Sequence, residues 1–207
     1  MVDTVPTALI ADVVGSRAGG ERAEVQRGVE RLLLRVSEVE APVQAFTATV
    51  GDEFQAVYSS RNSALRATLY ASLLAEESAD LRFGLGEGAV SDVPSGMSAR
   101  IQDGPGWWRA REAVEEAERR QRRLPFLRTW FVGAEGSSGV ITNAYLMSRD
   151  RLLSQLSVSA RNYARGIVEG SSQKEIAQQY GVSQPAVSKL LRESGAQVVL
   201  EGFKMLA

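Results

Sequence analysis

Residues 43–60, VQAFTATVGDEFQAVYSS, decide the fold of the first part of the chain. Two runs rich in β-branched and aromatic residues flank Gly51-Asp52, and a glycine-containing turn dipeptide between such runs is a strong signal for a β-hairpin. The apolar run upstream, residues 5–14 (VPTALIADVV), is interrupted by a single carboxylate, Asp12, and predicts a buried strand. Three strands are therefore expected in the first 60 residues.

One predicted helix lies between the first strand and the hairpin, and a second follows the hairpin. Residues 21–40 and 63–77 have helical periodicity, and residues 81–90 (LRFGLGEGAV) read as a strand whose glycines suggest close approach of another backbone or a ligand. Strand, helix, hairpin, helix, strand is the βαββαβ plan of a ferredoxin-like sheet with its helices on one face. Further along, we expect an exposed loop over 91–106, a charged helix over 107–123, a closing strand over 129–134 and a bridging helix over 139–157.

The stretch SSQKEIAQQYGVSQPAVSKLLRES, residues 171–194, predicts two short amphipathic helices joined by a tight turn. Gly181 permits a left-handed backbone, Ser183 can cap the second helix, and Pro185 suits its first turn. This is the spacing of a helix-turn-helix. The predicted contact face of the two helices consists of Ile176, Ala177, Val182, Val187 and Leu190. We predict an α/β (α+β) domain over 1–147 and a small all-α helix-turn-helix domain over 148–207.

A helix-turn-helix places its second helix in the major groove of DNA, where polar side chains reach base edges and phosphates. The predicted DNA-binding residues are Ser172, Gln173, Lys174, Ser183, Gln184, Ser188, Lys189 and Arg192. Lys174 and Arg192 are expected to contact phosphates, and the residues at 184, 188 and 189 to read bases. The alternatives are an ordinary helical hairpin with a solvated polar face and a protein-interaction module.

Charge and composition support DNA binding and exclude several kinds of catalytic and metal-binding chemistry. The net charge of the 207 residues is −1, but residues 149–207 carry eight Lys/Arg against five Asp/Glu, which suits a DNA-binding module on an acidic body. The chain has no cysteine and no histidine, so thiolate and imidazole chemistry are excluded and any metal must be held by oxygen. No signal-peptide pattern and no apolar run near the ~18 residues of a membrane span are found, so a cytoplasmic location is predicted.

Asp12 and Asp52 are expected to lie side by side if the first strand pairs with the third. Two neighbouring carboxylates need a cation or a shared proton, so Asp12, Asp52 and Glu53 are the candidate ligands of Mg²⁺ or Mn²⁺. Alternatively, residues 52 and 53 are ordinary turn residues, but an aspartate in an apolar strand still needs a partner. Arg17 and Arg82 either contact a ligand's phosphate or neutralise the aspartates directly.

The segments LIADVVGSR, VGDEFQAV and LRFGLGEG resemble the metal-binding strand, the hairpin and a later strand of the class III nucleotidyl cyclases, and GDEF matches most of the diguanylate cyclase signature. The ordered series ADVVGSR, GDEFQ, LRFGLGEG and DGPGWWRAREA more closely resembles the SatD family, whose members often carry a C-terminal helix-turn-helix. The resemblance implies a nucleotidyl-cyclase-like palm domain and a nucleotide ligand. Its candidate contacts are Ser16, Arg17, Gly51, Arg82 and Trp108, although Trp107 and Trp108 could instead pack on the core.

Several positions depart from the cyclase pattern. Ala48 stands where the resembling cyclases have a base-selecting lysine, and Val50 replaces the first glycine of the diguanylate cyclase signature. Trp108 and Glu112 stand in the region that should supply an asparagine and an arginine to stabilise the transition state. We therefore expect a DNA-binding transcription regulator, a homodimer, with a catalytically degraded cyclase-like domain. The alternative is a metal-dependent nucleotidyl cyclase or nucleotide hydrolase that uses Asp12 and Asp52.

Overall fold

A computed structural model describes residues 5–15, 22–49, 52–75, 80–93, 101–134 and 139–207 of the chain. In chain order the elements are β1 (Thr7–Val13), α1 (Arg22–Val39), β2 (Gln44–Ala48), β3 (Glu53–Tyr58), α2 (Arg61–Leu74), β4 (Leu81–Glu87), β5 (Ser91–Val93), β6 (Ile101–Asp103), α3 (Pro105–Gln121), β7 (Thr129–Val132), α4 (Gly139–Gln155), α5 (Val158–Val168), α6 (Gln173–Tyr180), α7 (Gln184–Glu193) and α8 (Ala196–Met205). None of the described helices contains an apolar stretch long enough to cross a membrane.

Five strands form the main sheet in the order β2-β3-β1-β4-β7. The strand β1 lies antiparallel between β3 and β4, which confirms the predicted ferredoxin-like order for the first four strands. The strand predicted over 129–134 closes the sheet as β7, which runs parallel to β4.

Helices cover both faces of this sheet. On β1, Leu9 and Ala11 point into the larger core beneath α1 and α2, whereas Ala8 and Ile10 point toward α3 on the opposite face. A strand buried on both faces explains why residues 5–14 read as a continuous apolar run. The expectation of helices on one face therefore holds for α1 and α2, and α3 is the exception.

Two glycines let α3 lie directly on β4. A Cβ atom at Gly84 would stand 2.3 Å from the carbonyl oxygen of Ala110, and one at Gly86 would stand 2.2 Å from the backbone nitrogen of Ala110. Both distances are far below van der Waals contact, so the backbones can approach this closely only without side chains. The predicted close approach at LRFGLGEG is confirmed, and the partner is the backbone of α3.

The segment predicted as an exposed loop, 91–106, contains regular structure instead. β5 and β6 pair antiparallel in a small separate sheet, with Val93 opposite Ile101. The prolines and glycines that favoured a loop either lie between the two strands, outside the described residues, or begin α3, where Gly104 has φ 132° and Pro105 occupies the first turn. Turn-forming residues marked the ends of these short elements.

The helix α2 belongs to two cores. Its residues Leu65 and Tyr70 lie in the core beneath the sheet, while Leu69 and Leu73 lie in a second core formed with α4, α5, α6, α7 and α8. Residue 148, the predicted domain boundary, lies within α4. The C-terminal helices are therefore packed directly against the α/β part.

The last helix, α8, docks on the body of the protein. The guanidinium of Arg66 on α2 lies 4.1 Å from the ring centroid of Phe203 and donates to the Phe203 carbonyl oxygen at 3.3 Å. Val199 and Leu200 are buried with Phe203, whereas Val198 is 64% exposed.

A buried ion pair ties α4 to the sheet. Arg149 and Asp150 have side chains 1% exposed and pair at 2.8 Å. Asp150 accepts hydrogen bonds from the backbone nitrogens of Arg128 and Thr129, each at 2.8 Å, and Arg149 donates to the carbonyl oxygen of Leu65 on α2 at 3.2 Å. These contacts join α2, α4 and β7 around one charged pair.

Candidate functional site

Asp12 lies near the end of β1, on the face of the sheet that α3 covers. Its Cα partner on β3 is Glu53 and its partner on β4 is Arg82. Side chains directly opposite each other on antiparallel strands lie on the same face, so these three residues form a row across the sheet. The residue beside Asp12 is therefore Glu53, and the expectation that Asp52 occupies that position is wrong by one residue, because the strand β3 begins at Glu53.

Each carboxylate in this row is held by an arginine. Nη1 of Arg82 lies 2.9 Å from Oδ2 of Asp12, and Nη2 of Arg82 donates to Oε1 of Gln121 at 2.7 Å. Arg111 on α3 forms a fork with Glu53, with N···O distances of 2.6 and 2.8 Å. Arg82 therefore pairs directly with Asp12, as one of its two predicted roles requires.

Burial dominates the electrostatics of Asp12. The loss of solvent raises the pKa of this carboxyl above its usual range, Arg82 opposes the shift, and Glu118, Glu53 and Asp52 add to it. The pKa of Arg111 is raised chiefly by its hydrogen bonds to Glu53. The arginine beside Asp12 thus compensates its charge only in part, and the fork at Glu53 is a tightly held pair.

This arrangement does not fit a divalent cation. Within the described ranges, no three acidic side chains gather closely enough to hold a metal ion. The guanidinium groups of Arg82 and Arg111 occupy the positions beside Asp12 and Glu53 that a cation would take, and hard cations need several free oxygen ligands. The proposed cation role of Asp12, Asp52 and Glu53 stays a prediction that the described contacts do not favour.

Manganese is accordingly expected to leave the midpoint of thermal unfolding unchanged, because binding would require breaking the Arg111–Glu53 fork. Unfolding should be followed with and without MnCl₂, in the wild type and in Asp12→Asn. A saturable rise of the midpoint that disappears in Asp12→Asn would contradict this expectation and support a cation site.

The structure describes only some of the residues predicted to contact a nucleotide. Ser16, Arg17 and Gly51 lie outside the described residues. Trp107 packs in the core between α3 and the sheet, as the alternative interpretation held, whereas Trp108 is 62% exposed and its Nε1 donates to Asp103 at 2.6 Å. These positions do not establish a nucleotide site.

Sequence reasoning missed Arg111. It follows Trp108 by three residues, so helical geometry places the two on one face of α3. This spacing, read together with the acidic hairpin, was the signal that could have found it. Further along the same helix, Glu116 pairs with Arg119 and Arg120.

The helices α6 and α7 have the predicted turn at Gly181 and the predicted cap at Ser183, and α6 has a further cap at its start. Ser172 and Glu175 form a capping box on α6, Gly181 ends it in the left-handed region with φ 65°, and Ser183 caps α7 through the backbone nitrogen of Ala186. Ile176 and Val187 are fully buried between the helices. The predicted contact face is wrong at Val182, which is 40% exposed, whereas Leu190 is partly buried against this core and the fully buried Leu191 was missed.

Most of the predicted DNA-binding residues lie at the surface of this helix pair. Lys174, Lys189 and Arg192 are exposed, and Gln184 donates to Gln173 across the two helices at 3.1 Å. The hydroxyl of Ser172 is bound to Glu175 at 2.7 Å, so this side chain acts as part of the cap. The structure thus brings Gln173 and Gln184 together and leaves the three cations at the surface.

The cationic excess of residues 149–207 is not concentrated on that surface. Arg149 is buried with Asp150, and Arg161 donates to backbone carbonyl oxygens of α2 and α4. The helices α6 and α7 carry three cations against two anions, Glu175 and Glu193. Part of the basic charge counted in the sequence therefore serves the fold.

The fold and site define an α+β protein whose ferredoxin-like sheet carries arginine-paired acidic residues and is followed by a group of helices. The chain belongs to the SatD family, whose family model matches residues 7–205. No curated protein matches the chain.

Solved structures of cyclases overlap part of the chain. The catalytic core of a rhodopsin-guanylyl cyclase with converted specificity, in complex with ATPalphaS, is 16% identical, with a TM-score of 0.40 over 54% of this chain and 72% of that one. A bacterial light-regulated adenylyl cyclase is 16% identical, with a TM-score of 0.47 over 68% of this chain and 80% of that one. A further structure of a bacterial light-regulated adenylyl cyclase is 17% identical, with a TM-score of 0.44 over 67% of this chain and 44% of that one. At these values the likeness says nothing about activity.

Proposed function

We propose that this protein is a sequence-specific DNA-binding transcription regulator that acts as a homodimer in the cytoplasm, with α6 and α7 as its helix-turn-helix. The observation that supports the proposal is the division of α7 into two faces. Val187 and Leu191 are fully buried, while the exposed Gln184 and Arg192 and the half-buried Ser188 follow one another at intervals of four residues along the border of that buried face. A row of this kind on a second helix suits the major groove.

The charge of the surface sets the expected mode of binding. Lys174, Lys189 and Arg192 are exposed and can neutralise phosphates, but Glu175 and Glu193 offset two of these charges. One module with so small an excess makes few contacts, so tight binding requires two copies on a palindromic site.

The α/β part is proposed to serve dimerisation or ligand sensing. For the enzymatic alternative, a cationic group would have to stabilise the transferred phosphate, and Arg111 is held in a fork by Glu53 while Arg82 is held by Asp12. No contact in the described part of the chain favours turnover, and incubation with ATP or GTP and Mg²⁺ is the direct check.

A fluorescence anisotropy titration tests the DNA-binding proposal. The full chain is expected to bind one fragment of the promoter region of its own gene with an affinity that falls as salt rises. Arg192→Ala should weaken binding to all fragments and reduce the slope of log affinity against log salt by about two, because each subunit of the dimer loses one phosphate contact.

Lys204→Ala is the matched control, since Lys204 is an exposed cation on α8, outside the helix pair, and pairs with Glu201. Its titration should follow the wild type. The proposal would have to be abandoned if the full chain bound none of the fragments, and the phosphate role of Arg192 if its substitution left the slope unchanged. Binding that ignores salt would favour the protein-interaction alternative.

A further inference from the structure

A cavity of about 130 Å³ lies where the α/β part meets the C-terminal helices. Its walls come from the end of α2, the start of β4, the segment before β7, and the helices α4 and α5. The apolar part of the lining consists of Leu81, Phe83, Phe126 and Leu153. The cavity is separate from the acidic row at Asp12 and from the outer surface of α6 and α7.

Two arginines and two carboxylates also line the cavity, and both carboxylates are already paired. Asp80 forms a fork with Arg128, with N···O distances of 2.6 and 2.7 Å. Asp150 pairs with Arg149. Arg161 donates only to the backbone carbonyl oxygens of Ser72 and Leu153, and in the part of the chain that the structure describes no carboxylate lies within ion-pair distance of it. Of the two arginines that line the cavity, Arg161 is therefore the one that forms no ion pair with a described residue.

Burial lowers the pKa of the Arg161 guanidinium, and the more distant charge of Asp80 opposes that shift. A half-buried cation that has lost solvent and has no adjacent anion leaves part of its charge uncompensated. A carboxylate is the planar group that a guanidinium binds best, through two parallel hydrogen bonds.

We propose that this cavity binds a small monocarboxylate that carries a compact apolar or aromatic group. The carboxylate would lie on Arg161 and the apolar group against Leu81, Phe83 and Leu153. An engineered apolar cavity of about 150 Å³ holds benzene, so a cavity of about 130 Å³ sets the scale of the apolar group at about one ring, with the carboxylate toward Arg161. The site joins α5 to the ends of α2 and β4, so an occupant would contact both parts of the chain.

Isothermal titration of the full-length protein with benzoate tests the proposal, with benzyl alcohol and acetate as comparison ligands. Benzoate is expected to bind saturably and both comparison ligands at least about tenfold more weakly, since the first lacks the charge and the second lacks the ring. Equal affinity for benzoate and either comparison ligand, or no binding of benzoate, would overturn the proposal.

Two variants locate the binding. Arg161→Gln should weaken benzoate binding about ten- to a hundredfold. Because Arg161 also holds the end of α2, its loss can affect folding, so Ser154→Trp is the second variant: Ser154 is an exposed lining residue, and the indole should fill the cavity while Arg161 stays in place.

Arg31→Gln, an exposed arginine on α1, is the control and should bind benzoate like the wild type. Unchanged affinity in Ser154→Trp would place the ligand elsewhere and overturn the proposal. No DNA is present in this measurement, so its outcome is independent of the proposed regulatory function.

Discussion

Replacing Gly86 with alanine is expected to destabilise the fold by at least about 3 kcal/mol, at the upper end of overpacking effects. The new methyl group would meet the backbone of α3 at 2.2 Å, at both the nitrogen of Ala110 and the carbonyl oxygen of Gly106. Backbone atoms cannot rotate away as a flexible side chain can, so α3 would have to move off the sheet. Urea unfolding followed by circular dichroism measures the loss.

Gly28→Ala is the matched control for this substitution. Gly28 lies inside α1 and a Cβ there would meet nothing within 4 Å. Alanine should therefore stabilise the protein by about 0.5–1 kcal/mol, because it favours the helix and reduces the freedom of the unfolded chain. If Gly86→Ala unfolded at the same urea concentration as the wild type, the close packing of α3 on β4 would be incorrect.

Arg149→Met is expected to cost about 3–5 kcal/mol of stability, since it leaves the buried carboxylate of Asp150 without its cation. Methionine keeps the apolar stem of the side chain but ends where arginine has Nε, so the loss combines an unpaired charge, missing hydrogen bonds and the space left by the guanidinium. The lost contacts include hydrogen bonds to Leu65, Thr68 and Thr129, on α2 and β7. Denaturant unfolding with a tryptophan fluorescence signal gives the free energy.

Two comparisons accompany this variant. Arg31→Met makes the same change at an exposed position on α1 and should stay within about 0.5 kcal/mol of the wild type. The double variant Arg149→Met with Asp150→Asn should lose less than the sum of the two single variants, because removing both charges leaves no unpaired ion. A cost below about 1 kcal/mol for Arg149→Met would show that the pair is not buried in solution.

Local patterns predicted most of the sheet. The hairpin around Gly51-Asp52, the first strand and the glycine-bearing strand each carry a periodicity or turn residue that acts over a few positions, and β3, β1 and β4 follow from them. The pairing of β5 with β6 was missed, since three-residue strands are too short to show a period. The covering of both faces by helices was missed too, because only contacts between α3 and β4, far apart in the chain, reveal it.

In the candidate sites, too, features set by neighbouring residues were predicted and features set by tertiary packing were not. The turn at Gly181 and the cap of α7 at Ser183 were predicted because both residues act on their immediate neighbours, whereas Ser172 was predicted to bind DNA and is instead part of a capping box. The partners of the acidic residues could be predicted only in part: Arg82 follows from strand pairing, whereas the approach of Arg111 depends on how α3 crosses the sheet. A one-residue difference in where β3 begins moved the carboxylate beside Asp12 from residue 52 to residue 53.

The membership of α2 in two cores bears on how a dimer would measure its operator. Leu69 and Leu73 pack in one core with the C-terminal helices, and they lie on the same helix that supports the sheet, so α7 is joined to the α/β part through α2. If two chains join through that part, as the proposed function requires, this packing sets the distance between their two α7 helices. The two helices can then occupy DNA half-sites about 34 Å apart, one helical turn, only if that distance matches. The packing of residues 61–74, which do not belong to the proposed DNA-binding helices, would then determine which spacing of half-sites the dimer binds.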